Sequence, residues 1–232
     1  MLAQVLRDVF TGDNVLYLFS GVGNTLLISI VTIVLSILIG SVLGICRNYS
    51  RGPAQAIAAS YIELFRNTPL LLWMMICVFL LRFGTSMTRG TLALTLYTSS
   101  VIAEIIRGGL NSIAKGQFEA ARSQGFSFTQ TLYYIILPQC FKRVAPSLLS
   151  QVITTVKDTS FLAQFAIAEL FWNSKVLMGN LPQKTQITSA HIFVVFIFVA
   201  AVYFIINFAL SCVVRKLSRD VSGTTTVQTR QT

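Results

Sequence analysis

The chain has 232 residues, of which 54% are hydrophobic and 11% are charged, and its formal net charge is +10. A soluble domain carries about 25% charged residues, so this composition excludes an ordinary soluble domain and favours an integral membrane protein. The positive charge does not indicate nucleic-acid binding, because the basic residues lie mostly at the ends of apolar segments, where they orient membrane helices.

The N-terminus, MLAQVLRDVFTGDN, lacks the basic region, short apolar run and small-residue cleavage site of a signal peptide. We therefore expect all segments to remain in the mature chain. Five apolar segments follow, each near the ~20 residues that cross a bilayer. They are residues 22–46, 57–81, 90–106, 144–167 and 190–214. The sequence predicts an all-α integral membrane protein with about five transmembrane helices.

These helices are expected to form one transmembrane domain, residues 1–217. The tail, residues 218–232, is rich in Ser, Thr and Gln without an apolar period, and we expect it to be disordered. The first apolar segment also carries small, weakly polar residues at steps of three or four, which favour close packing against another helix in lipid. They are Thr25, Ser29, Thr32, Ser36, Gly40 and Gly44.

The distribution of Lys and Arg predicts that the N-terminus lies outside and the C-terminus inside the cell. This orientation places residues 46–56, 107–143 and the tail in the cytoplasm, where most of the basic residues then lie.

The segment 107–143 is too long and too patterned for a simple connector. Its residues predict a short helix that ends at Gly125, where a positive φ is allowed, and a second helix that ends at Pro138. Such an elbow suits either docking into a partner's groove or lying on the membrane surface as an amphipathic helix. The residues alone leave both alternatives open.

The spacing of Glu119-Ala120-Ala121, Gly125 and Ile135-x-Leu137-Pro138 resembles the EAA loop of ABC-importer permeases. Four neighbouring stretches, GNTLLISI, YIELFRNTPLLL, IAEIIRGGLNSIAKGQFEAARSQG and KDTS, resemble the permeases of polar-amino-acid importers, which include histidine, arginine, glutamine and glutamate/aspartate systems. The resemblance covers about residues 15–214.

This resemblance implies the transmembrane domain of a type I ABC importer in a bacterial inner (plasma) membrane. Two permeases, identical or paralogous, would form the translocation pathway. Two ATPase subunits would each bind one EAA loop, and a binding protein would deliver the amino acid, for which glutamate, glutamine or aspartate is favoured. The residues implied to contact the ATPase are Glu119, Ala120, Ala121, Arg122, Gly125, Phe126 and Pro138.

The chain is not expected to be an enzyme, because it lacks a G-x-x-x-x-G-K-[ST] phosphate loop. ATP and magnesium would bind to the partner ATPase, so this chain is expected to bind no cofactor. A secondary transporter would usually have more helices or an inverted repeat. A membrane scaffold without transport activity would not explain the EAA pattern.

Polar residues within the apolar segments are candidates for the substrate pathway, since such residues usually face a cavity or a partner helix. By resemblance the stretch Lys157, Asp158, Thr159 and Ser160 borders this pathway, although structural pairing or hydrogen bonds to their own helix are alternatives. Many related permeases have P-L-L-V-Q where this chain has PLLLW. Trp73 therefore either reshapes a membrane pocket or faces lipid.

Two acid–base pairs have i,i+3 spacing, which is close enough for contact on a helix. They are Glu63 with Arg66 and Glu104 with Arg107. We expect structural ion pairs near the cytoplasmic ends of the helices, with a gating role as the alternative. His191 and the four cysteines predict no catalytic triad, metal site or disulfide framework.

Overall fold

The computed structural model describes residues 2–181 and 188–228, with side chains except at 214 and 217–228. This described part is helical and contains no strand. The first five α-helices are α1 (Leu2–Val9), α2 (Gly12–Tyr49), α3 (Pro53–Arg66), α4 (Leu70–Leu80) and α5 (Ser86–Asn111). The others are α6 (Gly116–Ser123), α7 (Phe128–Thr131), α8 (Leu137–Asp158), α9 (Leu170–Gly179) and α10 (Ser189–Gln228). A π turn, Leu132–Ile136, joins α7 to α8, and a 3-10 turn, Thr159–Phe165, follows α8.

The chain forms two compact units, each with its own apolar core. The first unit contains residues 1–32, 70–94 and 153–210, and the second contains 33–69, 95–152 and 211–232. The core of the first unit consists of Val5, Val9, Leu18, Leu170, Leu177, Val195 and Val199. The core of the second unit consists of Ile102, Ile106, Leu110, Ile113, Ile136, Cys140 and Val144.

Two helices among the described residues are long and apolar enough to cross a membrane, Gly12–Tyr49 and Ser189–Val213. The broken pair α3 and α4 is a third candidate. This pair replaces the single helix expected for residues 57–81. Pro69 explains the break, because proline disfavours helical backbone at the preceding residue. The number of spans and their orientation stay predictions.

The small-residue stripe of α2 is buried, as its spacing predicts. Within the second unit, a Cβ at Gly40 would lie 2.7 Å from the carbonyl oxygen of Ser99, and one at Gly44 would lie 2.6 Å from that of Ala103. Ser36 donates a hydrogen bond to the carbonyl of Thr95 at 3.2 Å. The stripe therefore brings α2 and α5 close together.

Helix α10 continues to Gln228, so the backbone of residues 218–228 is helical where the sequence predicted disorder. These residues extend a strongly apolar helix without an intervening proline, which allows the helical hydrogen bonding to continue. Residues 229–232 lie outside the described part.

Candidate functional site

The EAA segment forms an elbow, which we define as α6, the bend at residues 124–127 and α7. Gly125 has φ +84°, the left-handed conformation expected for it. The amide of Phe126 donates to the carbonyl of Ala121 at 3.1 Å, and that of Gly125 donates to Arg122 at 3.0 Å. These two bonds form a Schellman motif, which satisfies carbonyls at the end of α6.

The next helix of the elbow begins with a capping box. The hydroxyl of Ser127 accepts from the amide of Gln130 at 3.3 Å, while the side chain of Gln130 accepts from the amide of Ser127 at 2.9 Å. A Schellman motif followed at once by a capping box determines the backbone on both sides of the bend. The elbow is therefore a defined turn.

One face of the elbow is exposed and its opposite face is packed. Glu119, Ala120 and Arg122 are exposed, whereas Ala121 is buried. Glu119 and Arg122 line an open cavity of about 200 Å³ together with Lys115 and Phe118. An exposed carboxylate beside an exposed guanidinium can form charge-assisted hydrogen bonds with a partner.

Three aromatic rings attach the elbow to the end of α2. The ring centroids of Tyr49 and Phe128 lie 5.5 Å apart in an edge-on arrangement, and those of Tyr49 and Phe118 lie 5.9 Å apart. Phe118 and Phe128 are stacked at 6.2 Å. Such ring pairs contribute about 0.5–1.5 kcal/mol beyond burial. No local sequence pattern indicates this cluster, because Tyr49 is distant along the chain from Phe118 and Phe128.

Two polar contacts join α8 to the segment before the elbow and to α6 of the elbow. Arg143 donates to the carbonyl and hydroxyl oxygens of Ser112, and Gln139 donates to the side chain of Gln117 at 3.1 Å.

Burial raises the pKa of the Cys140 thiol to about 11. The thiol is therefore neutral at physiological pH, as suits its place in the apolar core of the second unit.

The predicted helix end at Pro138 is wrong, because the chain stays helical from Phe128 through Asp158. The π turn at Leu132–Ile136 precedes the proline. In a regular α-helix the proline ring would clash with the carbonyl four residues earlier, and the wider π turn relieves this crowding. The elbow is thus continuous with α8.

A charged cluster joins α2, α3 and α5 in the second unit. Glu104 accepts from Arg107 at 3.0 and 3.1 Å, so the predicted i,i+3 pair forms. Glu104 also lies 3.4 Å from Arg47 and 3.7 Å from Arg66. The predicted pairing of Glu63 with Arg66 is wrong: among the described residues Glu63 binds Arg47 at 2.6 Å. Contacts between helices replace the pairing expected within α3.

The candidate pathway residues lie at the end of α8, at the start of the 3-10 turn that follows it, and on α4. Lys157 is exposed and Asp158 half-buried, and Trp73 is also half-buried. The hydroxyl of Thr159 donates to the carbonyl of Val156 at 2.8 Å, and that of Ser160 donates to Lys157 at 2.7 Å. Both hydroxyls thus bond to their own helix, which was one of the two alternatives.

A buried carboxylate in the first unit was missed by the sequence analysis. Glu169 is fully buried, accepts from the amide of Trp172 at 2.6 Å and caps the N-terminus of α9. It also accepts from the hydroxyl of Tyr203 at 2.8 Å. Glutamate is not a preferred N-cap residue, so the sequence pattern could not predict this role.

Comparison with known proteins identifies the family. A profile of the family described as binding-protein-dependent transport system inner membrane component matches residues 33–223. The probable glutamine ABC transporter permease GlnP of Bacillus subtilis is 36% identical over 213 residues, which covers 90% of this chain and 95% of that protein. The glutamate/aspartate import permease GltK of Escherichia coli O157:H7 is 32% identical, with 88% and 92% covered.

Solved structures share the fold. The crystal structure of an amino acid ABC transporter with histidines matches with a TM-score of 0.79 and 27% identity, covering 90% of this chain and 95% of that one. An inward-facing structure of the MetNI methionine ABC transporter matches with a TM-score of 0.70 at 20% identity, which supports the fold alone. This chain belongs to the family of binding-protein-dependent transport system inner membrane components, the integral membrane permeases of ABC importers.

Proposed function

We propose that this chain is the permease subunit of an ATP-driven importer of polar amino acids in a bacterial inner membrane. Glutamine, glutamate and aspartate are the favoured substrates, because relatives covering nearly the whole chain are named as glutamine and glutamate/aspartate permeases. Amino-acid selection at the start of transport would belong to the binding protein that delivers the substrate.

The elbow, with its exposed charged face and packed opposite face, supports the proposed function most strongly. A force on Glu119 and Arg122 would pass through the aromatic cluster to α2 and through the continuous helical backbone to α8. A loosely attached loop would absorb the same force. The elbow therefore suits coupling between a cytoplasmic ATPase and the membrane helices.

The proposed partners are two ATPase subunits, a second permease and a substrate-binding protein. Two ATPase subunits would each bind an elbow, so a second permease, identical or paralogous, would complete the transporter. ATP and magnesium would bind to the ATPases. ATP and the loaded binding protein would shift the population between inward-facing and outward-facing states through their different affinities for the two states.

The proposal also assigns residues 157–160 and Trp73 to the substrate pathway. Asp158 and Lys157 could contact the charged groups of an amino acid, and the hydroxyls of Thr159 and Ser160 could exchange their helix carbonyls for its carboxylate. The bulky indole of Trp73, on α4, would reduce the space available in the pathway. Trp73→Gln should therefore change substrate preference more than ATPase binding.

Reconstitution tests the proposed function. The chain should be purified with its partner permease and ATPases, placed in proteoliposomes with the binding protein, and assayed with labelled glutamine, glutamate and aspartate. We expect uptake only with ATP on the ATPase side. A partner ATPase with its phosphate-loop lysine replaced serves as the control and should abolish uptake.

Two results would contradict the proposal. Uptake that persists without ATP and follows an ion gradient would identify a secondary transporter. ATP hydrolysis by an intact complex without uptake of any amino acid would remove the assigned substrate class.

A further inference from the structure

The second unit contains a basic cavity that is separate from the exposed face of the elbow. It has a volume of about 640 Å³, is open to solvent, and is lined by residues that include Arg47, Asn48, Gly52, Gln55 and Arg107. We call it the arginine cavity. The permease function proposed above assigns it no role.

The charges around the cavity are unbalanced. The guanidinium groups of Arg47, Arg66 and Arg107 share the carboxylates of Glu63 and Glu104. One positive charge of this cluster is therefore uncompensated. Arg47 and Arg107, two of the three arginines, line the cavity itself. An anion bound there would supply the missing negative charge and gain bidentate hydrogen bonds.

The N-terminus of α3 adds a second source of positive potential. Gly52 is the N-cap residue, and no side-chain hydrogen bond caps the helix there. Gly52 has φ +68°, and a Cβ at this position would meet no atom within 4 Å, so the space beside it is open. The side chain of Gln55 donates to the carbonyl of Arg47 at 3.4 Å, which joins the helix start to the arginines.

The cavity lies where an apolar helix ends. The apolar run of α2 continues to Cys46, and the polar residues Arg47 and Asn48 follow it directly. This change of polarity marks the membrane–water interface, the depth at which lipid headgroups lie. Basic pockets between helices at this depth are suited to anionic headgroups.

We propose that the arginine cavity binds the phosphate of an anionic phospholipid headgroup. Arg47 and Arg107 hold the phosphate oxygens, and Asn48 and Gln55 supply neutral donors at the rim. The acyl chains lie along the apolar surface of α2. The bound lipid balances the charge of the cluster that joins α2, α3 and α5.

Native mass spectrometry of the purified complete transporter tests this site. The complex is titrated with phosphatidylglycerol and, in parallel, with zwitterionic phosphatidylcholine. The test variant is Gln55→Glu, which places a carboxylate at the rim without removing an arginine. The matched control is Ala54→Glu, which adds the same charge at an exposed position beside it that is not among the lining residues.

We expect wild type and Ala54→Glu to bind phosphatidylglycerol equally and in preference to phosphatidylcholine. Gln55→Glu should bind it about fivefold more weakly, the effect of one charge near a membrane surface. Equal binding by Gln55→Glu and wild type would overturn the site.

Competition with inorganic phosphate distinguishes a lipid headgroup from a free anion as the ligand of the arginine cavity. If millimolar inorganic phosphate displaces the lipid from wild type, the site is one for a free anion and the lipid assignment is wrong.

Discussion

At the scale of single residues, Glu104 holds together the charged cluster of the second unit. Its carboxylate contacts Arg47, Arg66 and Arg107, and its side chain is 20% exposed. Glu63, in contrast, is 58% exposed and contacts only Arg47 among the described ion pairs. The two glutamates should therefore differ in their contribution to stability.

Glu104→Gln should lower the stability of the permease by about 2 kcal/mol, because it removes charge-assisted hydrogen bonds and leaves three guanidinium groups close together. Thermal unfolding of the purified protein, followed by intrinsic fluorescence, measures the loss.

The control is Glu63→Gln, which should cost less than about 1 kcal/mol, since exposed ion pairs contribute little. Equal losses for the two variants would show that Glu104 has no special position in the cluster.

Only the Glu104–Arg107 contact of this cluster could be predicted from the sequence. Both residues lie on one helix at a spacing that brings side chains together. The contacts of Arg47 cross from α2 to α3 and α5, and helical spacing contains no information about such neighbours. The same reason explains why Glu63 was assigned to the wrong arginine.

At the scale of helices, close approach depends on glycine. The stripe on α2 was predictable because its small residues recur along one helix. A second close approach, between α5 and α8, depends on Gly109. A Cβ at Gly109 would lie 2.9 Å from Sγ of Cys140 and would clash with Val144.

Gly109→Ala should therefore destabilise the permease by about 1–3 kcal/mol, the usual cost of overpacking. Thermal unfolding and the yield of monodisperse protein after solubilisation provide the measurements.

Gly108→Ala is the matched control, because Gly108 is exposed and a Cβ there meets no atom within 4 Å. This neighbour should tolerate alanine or gain about 0.5–1 kcal/mol from higher helix propensity. A destabilised Gly108→Ala with a normal Gly109→Ala would contradict the packing of α5 against α8.

The elbow shows how far local sequence rules extend. The bend at Gly125 was predictable, because only glycine readily adopts positive φ at the end of a helix. The same local rules wrongly predicted that the second helix ends at Pro138. The π turn that accommodates it changes the hydrogen-bond register over several residues, which a pattern of residue types does not show.

At the scale of the whole molecule, composition predicted the class correctly and the EAA spacing predicted the family. Helix ends were less predictable, because the apolar runs are shorter than the helices that contain them, as in α2. The contacts that hold the elbow in place, such as Tyr49 with Phe128, join distant parts of the chain. They became visible only in the structure.

We propose that the elbow transmits ATP-driven motion, and the variant Glu119→Lys tests this role. This variant reverses the charge on the exposed face without touching the packed face. Asn111→Lys is the control, since it adds a lysine to an exposed position in the same segment but outside the elbow. For both variants, ATPase co-purification is measured with the solubilised complex. Amino-acid uptake per ATP hydrolysed is then measured in proteoliposomes.

We expect Glu119→Lys to lower ATPase association or coupled uptake about tenfold or more, because a charge-assisted contact is lost, while its thermal unfolding is unchanged. Asn111→Lys should behave as wild type. Normal uptake and normal ATPase association by Glu119→Lys would contradict the coupling role of the elbow.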